Sequence, residues 1–221
     1  MLLALSACAP EPTPQVDDLP VTVLPVAKRS PVLVLAISGD GGWAGLDDEL
    51  AKQLNERGVP VVGLSSLKYF WKRRTPEETT ADVARLLRHY LAEWHVARVV
   101  LVGYSFGADV MPFVYNRLPT DLRERVSGVA LLAVGERTDF EVHVAGWVGV
   151  EGENGLPIAP ELARMGGIPV LCLWGDGDDD AEKGCTHSRG PLRTTLKVGD
   201  GHHFGYLHAE LASQILARVA H

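Results

Sequence analysis

Gly103-Tyr104-Ser105-Phe106-Gly107 follows a largely apolar run over residues 97–102 and precedes a helical pattern. A G-x-S-x-G pentapeptide between strand and helix reads as a nucleophile elbow. The strand ends, the serine takes strained backbone angles, and its hydroxyl stands exposed at a helix N-terminus within reach of a base. The flanking glycines let strand and helix pass without Cβ clashes. Because the bare pentapeptide arises by chance in roughly one chain of this length in ten, the segments around it decide its meaning.

Residues 21–26 and 31–38 read as strands, the second almost wholly apolar and so buried on both faces. Residues 46–57 form an amphipathic helix ending at Gly58, and residues 59–64 another strand. Thr75-Pro76-Glu77-Glu78 is a capping box with proline in the first turn, opening a helix to about His95. The helix after Ser105 runs to about Leu118, residues 129–134 are a strand, and residues 139–144 alternate like a sheet edge or cover strand. Residues 168–174 and 194–198 complete the sheet, and residues 206–220 form the last helix. This alternation predicts one α/β domain over residues 21–221, a doubly wound, mostly parallel sheet with helices on both faces. A length of 221 residues with 46% hydrophobic content fills one such core. Residues 135–167, with Trp147 and Pro157, are the expected minimal cap.

A serine hydroxyl is a poor nucleophile at neutral pH, so catalysis needs an imidazole to take its proton and a carboxylate to orient the imidazole. In α/β-hydrolases these follow the serine in the order acid, then histidine, on loops at the carboxyl ends of strands. Here Gly175-Asp176-Gly177-Asp178-Asp179-Asp180 follows one strand and Gly199-Asp200-Gly201-His202-His203-Phe204 follows the last. Asp178 is the preferred acid and Asp180 the second choice. His202, directly after a glycine, is the preferred base, with His203 packed beside it. Gly39-Asp40-Gly41-Gly42-Trp43 supplies the remaining part. The N–H of Phe106 and one from Asp40 or Gly41 would form an oxyanion hole. With Ala44 the same loop matches the G-x-G-x-x-A of dinucleotide sites, but the next strand ends Gly63-Leu64-Ser65-Ser66, with no acid to hold a ribose. No cofactor and no metal is expected. Lys68-Tyr69-Phe70-Trp71-Lys72-Arg73-Arg74 borders the catalytic face. Its aromatics and cations either contact an anionic head group or lipid surface, or pack under a loop with the charges in water.

A net charge of −7 argues against nucleic-acid binding, and no apolar run approaches the roughly 20 residues of a membrane span. Leu5-Ser6-Ala7-Cys8 resembles a lipobox, with Cys8 as the lipidated residue and Glu11-Pro12-Thr13-Pro14-Gln15 as a tether. The apolar segment before it is short and lacks a positive n-region, so residues 1–20 read as a truncated lipoprotein signal and linker. In an exported protein Cys172 and Cys185, which flank one loop, are natural disulfide partners; in a cytosolic one they would be buried thiols.

Taken together, Gly39-Asp40-Gly41-Gly42-Trp43, Tyr69-Phe70-Trp71 with Arg74-Thr75-Pro76, Gly103 to Asp109, the Cys172 to Cys185 loop and Gly201-His202-His203-Phe204 resemble the VirJ/AcvB family of bacterial virulence proteins. The resemblance runs from about Val21 onward. It implies an α/β-hydrolase fold, a periplasmic location and a triad of Ser105, Asp178 and His202. It also implies hydrolysis of aminoacylated, chiefly lysyl, phosphatidylglycerol, with virulence linked to type IV secretion in some members. On that reading the basic aromatic loop, with Tyr69 and Trp71, meets the lipid phosphate, and Asp176, Asp179 or Asp180 attracts the lysyl ammonium, Asp180 being the one preferred. The expected partners are a membrane lipid or small ester and envelope or secretion-system proteins, with the chain a monomer. The competing readings are a non-catalytic periplasmic adaptor and a lipase, thioesterase or peptidase of other specificity.

Overall fold

The computed structural model describes residues 13–142 and 155–220. Its main sheet has seven strands in the order β1-β3-β2-β4-β5-β8-β9. They are β1 (Val21–Leu24), β2 (Val32–Ile37), β3 (Val61–Leu64), β4 (Arg98–Tyr104), β5 (Val126–Leu132), β8 (Val170–Asp176) and β9 (Arg193–Asp200). Only β1 runs antiparallel to its neighbour. A separate two-stranded ribbon joins β6 (Arg137–Thr138) to β7 (Leu156–Pro157). The helices are α1 (Leu46–Glu56), α2 (Ser66–Tyr69), α3 (Pro76–Glu93), α4 (Phe106–Arg117), α5 (Thr120–Arg123), α6 (Ala159–Arg164), α7 (Asp179–Thr186) and α8 (His208–Val219).

Strand side chains alternate between faces, so a strand buried on both must be apolar at every position. In β2, Leu33, Leu35 and Ile37 join the core under α3 and α4, while Val32, Val34 and Ala36 join the core under α1 and α8. Two apolar layers therefore clamp the sheet, and the carboxyl ends of β2, β4, β8 and β9 are left to carry loops. The capping box of α3 forms as expected: Glu78 N–H donates to Thr75 Oγ1 at 3.1 Å, and Thr75 N–H donates to Glu78 Oε2 at 2.8 Å.

Two expectations change. The sequence places a linker up to residue 20, but residues 14–20 belong to the fold. Val16 and Leu19 are buried in the α3 core, Arg85 holds Asp18 and the Gln15 carbonyl, and His89 Nδ1 lies 2.8 Å from the Pro14 carbonyl oxygen. Two apolar side chains between prolines, together with these polar contacts, dock the segment. Cys8 lies outside the described residues. The cover strand expected over residues 139–144 is not a strand in its described part. Phe140 and Val142 are buried, yet their backbone pairs with the loop after α2, through Arg74 N–H to the Phe140 carbonyl at 3.0 Å and Val142 N–H to the Phe70 carbonyl at 2.9 Å. Residues 143–154, which include the end of that segment and Trp147 of the expected cap, lie outside the described residues.

Candidate active site

The elbow forms between β4 and α4. Ser105 has φ 51° and ψ −121°, a conformation a non-glycine residue holds only when its surroundings impose it. Its N–H is tied to the Leu132 carbonyl at 2.8 Å. A Cβ at Gly107 would overlap the Ile37 carbonyl, and one at Gly103 would overlap the backbone of Gly107 and Ala108. The glycines are thus fixed by close approach of β2, β4 and α4.

His202 Nε2 lies 2.8 Å from Ser105 Oγ, and His202 Nδ1 lies 2.7 Å from Asp178 Oδ2. The Asp178 carboxylate only accepts, so Nδ1 carries a proton toward it and Nε2 is left to take the serine proton. Asp178 is also the N-cap of α7, its Oδ1 accepting from Ala181 N–H at 3.4 Å. Two other members of the acidic run are engaged elsewhere. Asp176 pairs with Lys197 at 2.7 Å, which holds its carboxyl below the usual range, and Asp180 pairs with Lys183 at 3.2 Å. The Cys172–Cys185 disulfide forms, joining the middle of β8 to the end of α7.

Asp40 and Gly41 turn away from the end of β2, and within the described residues their N–H groups have no hydrogen-bond partner. Phe106 opens α4, so its N–H is one of the helix's free donors. The loop is braced from below. Ser66 N–H donates to Ser38 Oγ at 2.9 Å and Ser66 Oγ to the Ser38 carbonyl at 2.6 Å, while Gly39 N–H points at Asp47 Oδ2 at 3.4 Å. Ser105, His202 and the loop from Gly39 to Gly42 line a cleft of about 620 Å³, to which Leu46, Asp47, Tyr104, His203, Tyr206 and His208 also contribute.

Three expected substrate contacts are not brought to this cleft. Tyr69 is 3% exposed, in the core beside Phe70, and its hydroxyl donates to Asp82 at 2.7 Å. Burial next to a carboxylate keeps that phenol neutral, its pKa well above the usual value. Asp180 lies on the outer side of α7 with its lysine partner. Trp71 is 61% exposed, past the end of α2, outside the cleft lining. Asp47 and Tyr104 were missed. Asp47 looks like an acid favouring a helix N-terminus, and nothing in its spacing says that it is buried. Tyr104 occupies a variable position of the pentapeptide.

Solved structures with this fold include a lipase-esterase related protein from Clostridium acetobutylicum (TM-score 0.61, 16% identity, covering 91% of this chain and 99% of that one). A proline iminopeptidase from Mycobacterium smegmatis matches at TM-score 0.63 and 14% identity, over 95% and 98%. A lidless a/b serine hydrolase from Xanthomonas campestris matches at TM-score 0.54 and 18% identity, over 90% and 87%. A search of curated protein sequences gave no match. The neighbours establish the α/β-hydrolase fold. The family model described as bacterial virulence protein (VirJ) matches residues 31–221, from the first buried strand through the last helix, and the chain therefore belongs to the VirJ family.

Proposed function

We propose that this chain is a serine hydrolase that cleaves a carboxylic ester through an acyl-enzyme. The single observation carrying the proposal is the unbroken hydrogen-bonded chain Ser105–His202–Asp178 at the head of an elbow strained at the serine. In the reaction, His202 Nε2 takes the proton as Ser105 Oγ bonds to the ester carbonyl carbon. Negative charge gathers on the former carbonyl oxygen, facing the N–H groups of Phe106 and of Asp40 or Gly41. Collapse expels the alcohol, which receives the proton from His202, and water then repeats the sequence on the acyl-enzyme. Asp178 stays ionised and holds the imidazolium.

The proposed substrate is an aminoacyl phosphatidylglycerol, chiefly the lysyl form, met at a periplasmic membrane to which Cys8 anchors the protein. Family membership and the disulfide, which belongs to an oxidising compartment, support this reading. So does the segment from Lys68 to Lys72, whose Trp71 is exposed and whose helix α2 abuts the oxyanion loop at Leu67 and Gly42. A fluorophosphonate probe tests the mechanism, with labelling expected at Ser105 and none in Ser105→Ala. Unlabelled wild-type protein refutes it. Unchanged lysyl-phosphatidylglycerol in cells with and without the protein refutes the substrate.

A further inference from the structure

The mechanism uses one histidine of the Gly201-His202-His203-Phe204 turn and leaves the other unexplained. His203 Nδ1 lies 2.7 Å from the hydroxyl of Tyr104, and that hydroxyl donates to the His202 carbonyl at 3.3 Å. A phenol has one proton and a carbonyl only accepts. The assignment that satisfies both contacts has Tyr104 O–H donating to the His202 carbonyl and His203 Nδ1–H donating to Tyr104 Oη. Burial, then the nearby carboxylates of Asp47, Asp40 and Asp178, raises the Tyr104 pKa, so the phenol keeps its proton through the neutral range.

Tyr104 stands between the elbow, the oxyanion loop and the base turn. It precedes Ser105 in the chain, and its ring lies under the oxyanion loop, where a Cβ at Gly39 would stand 3.3 Å from it. Its hydroxyl grips the base turn across a sequence separation of 98 and 99 residues. That turn needs a tether. Phe204, at its end, and Tyr206, just beyond, hold positive φ, at 56° and 62°. Non-glycine backbone of that kind persists only where surrounding contacts fix it.

We propose that Tyr104 and His203 form a positioning pair that holds the His202 turn and the Gly39 loop in register with Ser105. Neither residue takes part in proton transfer. The pair sets the distance from Nε2 to Oγ, and a displacement near 1 Å at such a contact costs up to about a hundredfold in rate.

The test compares Tyr104→Phe, His203→Gln and His203→Asn with wild type, measuring fluorophosphonate labelling rate, kcat and KM on a soluble nitrophenyl ester, and melting temperature. An asparagine amide reaches the position of Nδ1 and can donate there, whereas a glutamine amide falls at the position of Nε2. Tyr104→Phe and His203→Gln are expected to lose about ten- to a hundredfold in labelling rate and kcat with KM little changed, and His203→Asn to stay within about threefold of wild type. A His203→Gln protein that labels at the wild-type rate overturns the proposal. So does a His203→Asn protein as slow as His203→Gln, or a loss seen in KM alone. Tyr104→Phe retains the ring against Gly39, so it reports on the hydroxyl even where a His203 variant melts below the assay temperature. The proposal rests on the serine-hydrolase reading, and the two fail differently. Unlabelled wild type sinks that reading, while labelled wild type with equally fast variants sinks this pair alone.

Discussion

Asp47 offers a test of how the floor of the cleft is built. The residue is 7% exposed, beneath the oxyanion loop, and its carboxyl has Gly39 N–H at 3.4 Å as its hydrogen-bond partner. Burial raises its pKa from 3.8 to about 8, against a smaller downward pull from the Gly39 N–H. The native protein therefore holds this proton across a pH range in which the unfolded chain has lost it. For a group raised in the folded state, stability is fully present below the unfolded value and falls as pH rises toward the folded one. The slope for one proton is about 1.4 kcal/mol per pH unit, so wild type should lose about 3 kcal/mol between pH 5 and pH 7.5 through this residue. Asp47→Asn keeps the shape and an acceptor for Gly39 but cannot ionise. Denaturant melts of both proteins, disulfide intact, isolate the effect, because every other titrating group is shared. The stability difference in favour of Asp47→Asn should grow by about 3 kcal/mol over that range, or by about 6–12 °C in melting temperature for a domain of this size. A difference that stays flat with pH would show that the carboxyl is hydrated or ionised in the fold, and the reasoning would fail. Catalysis at neutral pH should survive the substitution, since the loop keeps its acceptor.

Asp178→Asn should lower kcat by about 10⁴-fold through the wrong imidazole tautomer, while Asp176→Asn and Asp180→Asn, which break exposed pairs with Lys197 and Lys183, leave it nearly unchanged on the same ester. Ser105→Ala and His202→Ala should each abolish turnover, with the double variant little worse than either, as steady-state assays would report. Replacing Cys172 and Cys185 by alanine opens a link of sequence separation 13 and should cost about 3 kcal/mol in denaturant melts. Trp71→Ala combined with Lys68→Ala should slow hydrolysis of substrate in anionic vesicles while leaving a soluble ester unaffected; equal slowing of both would remove the membrane role of that segment.

Features set by short-range chemistry were legible in the sequence. The elbow, the capping box of α3 and the buried strand β2 each depend on residues within a few positions of one another, so spacing alone identifies them. Contacts between distant segments were not legible. Tyr69 sits in an aromatic, cationic segment that looks like a ligand contact, but α2 turns its ring inward against Phe70 and Asp82, and only Trp71 is left outside. Asp47 and Asp48 are indistinguishable as sequence, yet a rotation of about 100° around α1 puts Asp47 under the oxyanion loop and leaves Asp48 to pair with Lys52 on the surface. The same limit hid the docking of residues 14–20, which depends on Arg85 and His89 some 70 positions away.

The acidic run shows how one local rule could have ranked its members. An N-cap aspartate gives one carboxylate oxygen to a backbone N–H three positions on and keeps the other free. Asp178 stands in that position, with Ala181 as its N3 residue, so Oδ1 is tied to α7 and Oδ2 faces a fixed direction, where His202 Nδ1 meets it. Asp179 and Asp180 lie within the helix, and the direction of their side chains follows the helix surface. The acid is therefore aimed by α7 as a body, and α7 is held at its far end by the disulfide to β8 and by Gly184, where a Cβ would overlap the Val134 carbonyl. A Gly184→Ala change, remote from Ser105, should then displace Asp178 and lower kcat, with the Cys172–Cys185 bond limiting the shift. Loss of activity should accordingly be greater in Gly184→Ala protein after reduction than before, and an equal loss in both states would show that the helix does not transmit the displacement.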